Sequence, residues 1–248
     1  MAGYATYLHQ ESICPPSIDL FKDITDKNAL KFGEKFELKS EEFINNAGWV
    51  LEDFLLKEEC EKMIELAEKI GFQTAEQYCF LYANRKNDRI LVDDEGMAKL
   101  MWERIRTHVS DLKVKSMGVS WSPCGINPRF RLCRYIGGKG HYFGKHVDGG
   151  YQNSKTGEVS FLTLLVYLNS KDEFEGGCTN FFRKEGVYSV VPKAGLCTVF
   201  FQDDGRCQHE GEKVTKGKKY IIRTDVMFRN SEAENEFIDS NGDILHDS

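Results

Sequence analysis

The segment HYFGKHVDGGY (141–151) sets an imidazole and a carboxylate, His146 and Asp148, two residues apart. On an extended strand, or at its end, alternation sends both side chains out of the same face. Two such groups do not fix a metal ion alone. A third ligand has to arrive from elsewhere, and among the six histidines His209, in CQHEG, is the best-placed candidate. The 61 residues from Asp148 to His209 (209 − 148) leave room for several strands, enough to cross a sandwich and return beside the start. Two histidines and one carboxylate on one face of an octahedral ion form the facial triad of non-haem iron(II) oxygenases, with three positions open. A bidentate co-substrate would take two of them and dioxygen the third. H-x-D alone is weak evidence, because the pair also arises by chance near a glycine-rich turn, with His209 an ordinary surface residue. The remaining pattern has to carry the case.

That pattern continues in KKYIIRTDVMF (218–228). Read as a strand, it puts Tyr220, Ile222, Val226 and Phe228 on one face, and Lys219, Arg223 and Asp225 on the other with Ile221 and Met227. A strand deep in a fold does not turn two cations inward without a partner, because an unpaired buried charge is costly. A bound dicarboxylate supplies one: its far carboxylate on Lys219 or Arg223, its oxoacid end on the metal. The competing reading is an edge strand with both cations in solvent. In SFLTLLVYLN (160–169), Leu162, Leu164, Val166 and Leu168 take one side and Thr163, Leu165 and Tyr167 the other, so Tyr167 is a hydroxyl candidate for the carboxylate site. In PRFRLCRYI (128–136), Arg129, Arg131, Cys133 and Tyr135 share a face. Tyr135 is the second hydroxyl candidate, and Arg131 is a candidate contact to substrate or co-substrate, against a solvated arginine.

The elements that must position these residues follow from periodicity. From Lys57 to Ile70, Cys60, Met63, Ile64, Ala67 and Ile70 recur at spacings of three and four with charges between them, which predicts an amphipathic helix ended by Gly71. A second helix is predicted from Asp94 to Val109, with Met97, Leu100, Met101, Ile105 and Val109 as its apolar stripe. Both are scaffold. WVLEDFL, at Trp49, reads as a short strand. From Asn127 the chain becomes short apolar runs (128–136, 160–169, 178–182, 187–191, 196–201, 220–228) separated by Gly137-Gly138, Gly149-Gly150, Gly176-Gly177, Pro192 with Gly195, and Gly217. Short strands at this spacing predict a mainly β (α+β) chain with a β-sandwich or jelly-roll core. The expected division is an N-terminal extension (1–45) that wraps or stays mobile, a helical support region (46–126), a core (127–229) and an acidic tail (230–248).

The 248 residues carry 33 basic and 39 acidic side chains, a formal charge of −6, which argues mildly against unspecific nucleic-acid binding. No apolar run approaches the roughly 18–20 residues of a membrane span. The N-terminus shows no basic patch followed by an apolar stretch, hence no secretory signal is expected. Eight cysteines without a C-x-x-C pair suit buried thiols in a reducing compartment, with the cytoplasm or nucleus as the expected location.

Taken together, the blocks RYIGGKGHYFGKHVDGG, LTLLVYLN, EGGCTNFF, VVPKAGLCTVFF and HEGEKVTKGKKYIIRTDV resemble the prolyl 4-hydroxylase-like branch of the 2-oxoglutarate/iron(II) dioxygenases. The likeness covers about 100 residues, Asn127 to Arg229, in matching order and spacing, and LEDFLLKEECEKMIELAEKIGF is similar to the family's N-terminal support. It implies a double-stranded β-helix and a reaction coupling oxidative decarboxylation of 2-oxoglutarate to hydroxylation, with release of succinate and CO2. It implies Fe(II), 2-oxoglutarate and O2 as cofactor and co-substrates, with ascorbate (vitamin C) as reductant. By the same likeness the metal ligands fall on His146, Asp148 and His209, the co-substrate's basic residue on Lys219 with Arg223 as the alternate or second contact, and the pocket tyrosines on Tyr135 and Tyr167. One departure shows: where the family often has tyrosine three residues before the first metal histidine, this chain has Phe143, with Tyr142 beside it. Protein or peptide prolyl groups lead the implied substrates, followed by an amino acid or other small molecule, with nucleic acid last. The rivals are a cupin-like or hydrolytic metal barrel and a catalytically silent binding module.

Overall fold

Two helices back one wall of an antiparallel barrel in the computed structural model, which describes residues 38–79 and 82–231. The expected extension up to residue 37 and the acidic tail from residue 232 lie outside the described residues. In chain order the elements are β1 (Ser40–Ile44), β2 (Gly48–Leu51), α1 (Lys57–Ile70), β3 (Gln73–Cys79), β4 (Tyr82–Asp93), α2 (Glu95–Val109), β5 (Val114–Ser116), β6 (Val119–Ile126), β7 (Arg129–Ile136) and β8 (Tyr142–His146). They continue as β9 (Val159–Tyr167), β10 (Phe174–Gly176), β11 (Thr179–Arg183), β12 (Gly186–Val190), β13 (Cys197–Phe201), β14 (His209–Gly211) and β15 (Val214–Asn230).

Both helices form where the apolar spacing predicts. Cys60, Met63 and Ala67 of α1 are buried, the Glu59 carboxylate accepts from the Leu56 amide at 2.9 Å, and Gly71 (φ 91°) closes the C-terminus with its amide on the Ala67 carbonyl. For α2 the Asp94 side chain caps the first turn, accepting from the Met97 amide at 2.8 Å. A buried two-pronged ion pair, Arg104 to Glu59 at 2.8 Å on both prongs, ties α2 to α1.

The sheet runs β1-β2-β13-β9-β15-β7-β4-β8-β14-β11-β12, with β10 and β6 also paired to β15. This is the jelly roll, a nearly closed antiparallel barrel. β4 bridges its two halves, pairing β7 through Asp88–Asp93 and β8 through Arg85 and Lys86. The pleat of β15 divides the interior into two cores. Tyr220, Ile222, Val226 and Phe228 join the core under the helices with Leu162, Leu164 and Val166 of β9, whereas Ile221 joins Leu165, Tyr167, Phe181 and Phe200 inside the barrel.

Two stretches differ from the sequence expectation. Ser40–Ile44, placed there in a wrapping or mobile extension, pair with β2 and bury Phe43 and Ile44 inside the barrel. In SEEFINN the two apolar residues are adjacent, so the stretch lacks the alternation that marks a strand. The 46–126 region, expected as helical support, also contains the β3–β4 hairpin, whose polar sequence hides its strands.

Candidate active site

Backbone pairing alone brings the two histidines together. His146 ends β8, His209 begins β14, and the two residues are antiparallel partners, with ring centroids 4.2 Å apart. Asp148 follows two residues after β8. One ligand atom from each of the three lies within 4.8 Å of the others, and His146 Nε2 is 3.3 Å from Asp148 Oδ1.

The hydrogen bonds around the three prepare them for a cation. His146 Nδ1 donates to the Gly144 carbonyl at 2.8 Å, and His209 Nδ1 to the Cys207 carbonyl at 3.0 Å. A carbonyl only accepts, so each proton sits on Nδ1 and each Nε2 keeps its lone pair for a metal. His146 Nε2 is buried and has no hydrogen-bond partner among the described residues. A buried lone pair left unpaired is expensive, and a divalent cation is the partner this donor set fits. Burial pushes His209 down to about 4, which keeps it neutral and able to ligate. On Asp148, Oδ2 accepts from Thr163 Oγ1 at 2.7 Å and Arg223 Nε at 3.2 Å, leaving Oδ1 toward the imidazoles. Burial opposes its ionisation, but the Arg223 guanidinium and His146 outweigh it and hold Asp148 well below the usual carboxylate range. Phe143 stacks on His146 at 3.7 Å, and Phe181 and Phe200 flank His209 at 5.2 and 4.8 Å, an aromatic collar that limits water. Phe143 thus spends its ring on His146, at the position where the resembling family often has tyrosine.

Lys219 is 3% exposed and donates from Nζ to the Gly177 carbonyl at 2.7 Å. Its Nζ lies 5.6 Å from the Tyr135 ring and 5.3 Å from the Tyr167 ring, so the three sequence candidates do assemble. Burial lowers the ammonium to about 8. Tyr167 is fully buried and donates to Thr179 Oγ1 at 2.7 Å. Arg223, expected as an alternate or second co-substrate contact, has protein partners of its own. It shares the inward face with Lys219 but engages Asp148, Thr163 (3.2 Å) and Asp225 (3.4 Å), two positions further toward the metal cluster. Its carboxylate partner is the protein's own.

Arg131 reaches Asp225 at 3.4 Å and is only partly buried, whereas Arg129 pairs with Asp93 at the rim, 2.8 Å away. Asp225 also accepts from Gln202 Nε2 at 2.8 Å and Asn127 Nδ2 at 3.0 Å. Thr163, Thr179, Gln202 and Asn127 carry no motif signal. Strand alternation had put Thr163 and Asp225 on the inward face without assigning them partners.

Residues 130–224 match the family model described as the 2OG-Fe(II) oxygenase superfamily. A viral collagen prolyl hydroxylase from Paramecium Bursaria Chlorella virus-1, solved with 2OG, shares the fold at 20% identity and a TM-score of 0.50, covering 73% of this chain and 96% of that one. A prolyl hydroxylase from Trichoplax adhaerens, in complex with a hypoxia inducible factor oxygen degradation domain peptide fragment, is similar at 17% identity and a TM-score of 0.54, covering 77% and 86%. No curated protein matches significantly. A jelly roll with a His-Asp-His cluster inside it fits the facial-triad arrangement of non-haem metal oxygenases. Residues 130–224, the stretch that carries His146, Asp148 and His209, thus resemble the 2OG-Fe(II) oxygenase superfamily, on a fold shared with prolyl hydroxylases. The family works with Fe(II), 2-oxoglutarate and O2.

Proposed function

We propose that the protein hydroxylates a substrate while converting 2-oxoglutarate to succinate and CO2, with a prolyl residue of a protein or peptide as the first substrate to test. His146, Asp148 and His209 are the metal ligands in this reading, and Lys219 with Tyr135 and Tyr167 the co-substrate pocket. The observation that carries it is the convergence of three ligand atoms within 4.8 Å, one of them the orphaned Nε2 of His146. The prolyl guess is supported by the fold alone. It is also consistent with the peptide-bound Trichoplax enzyme, although that partner belongs to that protein.

Iron(II), when bound, supplies dioxygen activation and oxidising power. The chain supplies position and exclusion. Lys219, with the Tyr135 and Tyr167 rings beside it, would pair its charge with the far carboxylate of 2-oxoglutarate. Arg223 and Thr163 hold Asp148 by Oδ2, which keeps Oδ1 turned to the cluster. Phe143, Phe181 and Phe200 keep the imidazoles dry, which protects reactive species from water.

Two measurements test this. Anaerobic Fe(II) with 2-oxoglutarate should produce a visible charge-transfer band in the wild type and none in Asp148→Ala. A succinate-release screen with ascorbate, run over peptide, amino-acid and nucleic-acid pools, should find one pool that gains a single oxygen by mass. An absent band together with no 2-oxoglutarate turnover would overturn the reading.

A further inference from the structure

One wall of the barrel gathers several cations at its inward positions. On β4, Arg89 is the antiparallel partner of Cys133, which lies in the barrel core, and Arg85 is the partner of Phe143, 5.4 Å from its ring. On β7, Arg131 pairs across to Arg223 of β15. The arginines act on one another: burial lowers Arg89, and Arg85 and Arg131 lower it further. A partly buried wall that gathers like charges in this way favours an anion beside it.

Two unsatisfied atoms mark where that anion would sit. Arg85 Nε is buried with no hydrogen-bond acceptor among the described residues, and so is Asn87 Oδ1 with no donor. Asn87 is fully buried one alternate position along β4, between Arg85 and Arg89, and its Nδ2 already donates to the Asp88 carbonyl at 3.1 Å. A guanidinium N–H asks for an anionic acceptor, and the amide oxygen beside it asks for an N–H donor. A carboxylate next to a peptide or acylamino N–H offers both.

We propose that Arg85, Arg89 and Arg131, with Asn87 between the first two, form a subsite for a carboxylate of the substrate next to an amide N–H, as in an acidic peptide or an acylated acidic amino acid. The inference rests on the functional reading above and names its substrate class. Arg223 stays on Asp148, so the subsite lies along the wall that leads to the metal cluster, and the substrate carboxylate is held there while a neighbouring carbon faces the cluster.

The test uses full-length protein loaded with redox-inert Mn(II) and saturating 2-oxoglutarate. Three fluorescein-labelled prolyl peptide pools, flanked by Asp/Glu, by Ala/Ser or by Lys/Arg, are titrated by fluorescence anisotropy, with N-acetylglutamate as a small-acid competitor. The acidic pool should bind about tenfold tighter or more than the neutral one, the size of one charge-assisted hydrogen bond. Arg85→Gln and Arg131→Gln should each remove most of that preference, and Arg131→Lys, which keeps the charge, should retain part of it. Effective competition by N-acetylglutamate assigns the subsite to small acids and its absence to peptides, both within the proposal. Equal or tighter binding of neutral or basic pools, no binding of any acidic probe, or an undiminished preference in both Gln variants overturns it. The 2-oxoglutarate affinity of the same samples separates the two failures. A wild type that binds no 2-oxoglutarate sinks the functional reading and this inference with it. Normal 2-oxoglutarate binding without acidic preference sinks the inference alone.

Discussion

The two faces of β15 do opposite work within one strand. Its helix-side face, Tyr220, Ile222, Val226 and Phe228, is apolar apart from the Tyr220 hydroxyl and a buried Thr224 that donates to the Asn127 carbonyl. Its barrel-side face, Lys219, Arg223 and Asp225, is charged and held by hydrogen bonds to Gly177, Asp148 and Gln202. Burial on the first face contributes stability through area and packing. On the second it is a cost, offset only where each charge finds a partner. The lesson is that the side chains that stabilise this protein and those that work in it are separable by parity along a single strand.

The sharpest break of that comparison is at the cluster itself. His146→Ala or Asp148→Ala should abolish 2-oxoglutarate-dependent succinate formation, and Asp148→Ala should also lower the unfolding midpoint because it leaves Arg223 without that buried carboxylate; wild-type-like turnover in either variant contradicts the ligand assignment. On the opposite face, Phe228→Ala should cost about 3–5 kcal/mol in urea unfolding, the usual result for a fully buried phenylalanine, yet leave metal affinity of the folded fraction unchanged. A loss below ~1 kcal/mol there means that the helix-side core is looser than its burial indicates. Arg223→Ala should weaken metal affinity about 10–100-fold, as removing a group that orients a ligand typically does, and should spare 2-oxoglutarate affinity more than Lys219→Ala does. The reverse ranking would return Arg223 to the co-substrate pocket.

The mildest perturbation is a change of pH. The folded ammonium of Lys219 has its pKa lowered from 10.5 to about 8, and only its charged form pairs with a carboxylate. The dissociation constant for 2-oxoglutarate should therefore be flat below about pH 8 and rise above it, approaching tenfold per pH unit. Stability moves the other way. Between about 8 and 10.5 the unfolded chain binds the proton that the folded chain has lost, so folding gains with rising pH across that window. A flat affinity profile from pH 7 to pH 10 removes Lys219 from the carboxylate.

Much of this was legible in the residues. The helix predicted over Lys57–Ile70 has those bounds, and the second begins at its Asp94 cap. Both have long 3.6-residue periodicity, a signal that tertiary contacts reinforce. The alternation of β15 and β9 survives as well, because each face meets a different core. The β3–β4 hairpin and β1 did not show, since their residues are polar or lack alternation, and strand pairing is what makes them strands. That limit hid Arg85, Asn87 and Arg89, which only the pairing of β4 with β7 and β8 brings into the barrel.

What the sequence determined by itself is therefore the local half of the problem: which face each side chain takes, and which groups have the chemistry for a metal and an oxoacid. Tertiary structure alone decided partnership. It set His146 opposite His209 across an antiparallel pair 63 residues apart (209 − 146), and it brought Arg223 of β15 onto Asp148. The physical reason is that parity is a property of one strand, whereas the distance between two charges depends on the register of several, and register is settled by the packing of the whole barrel.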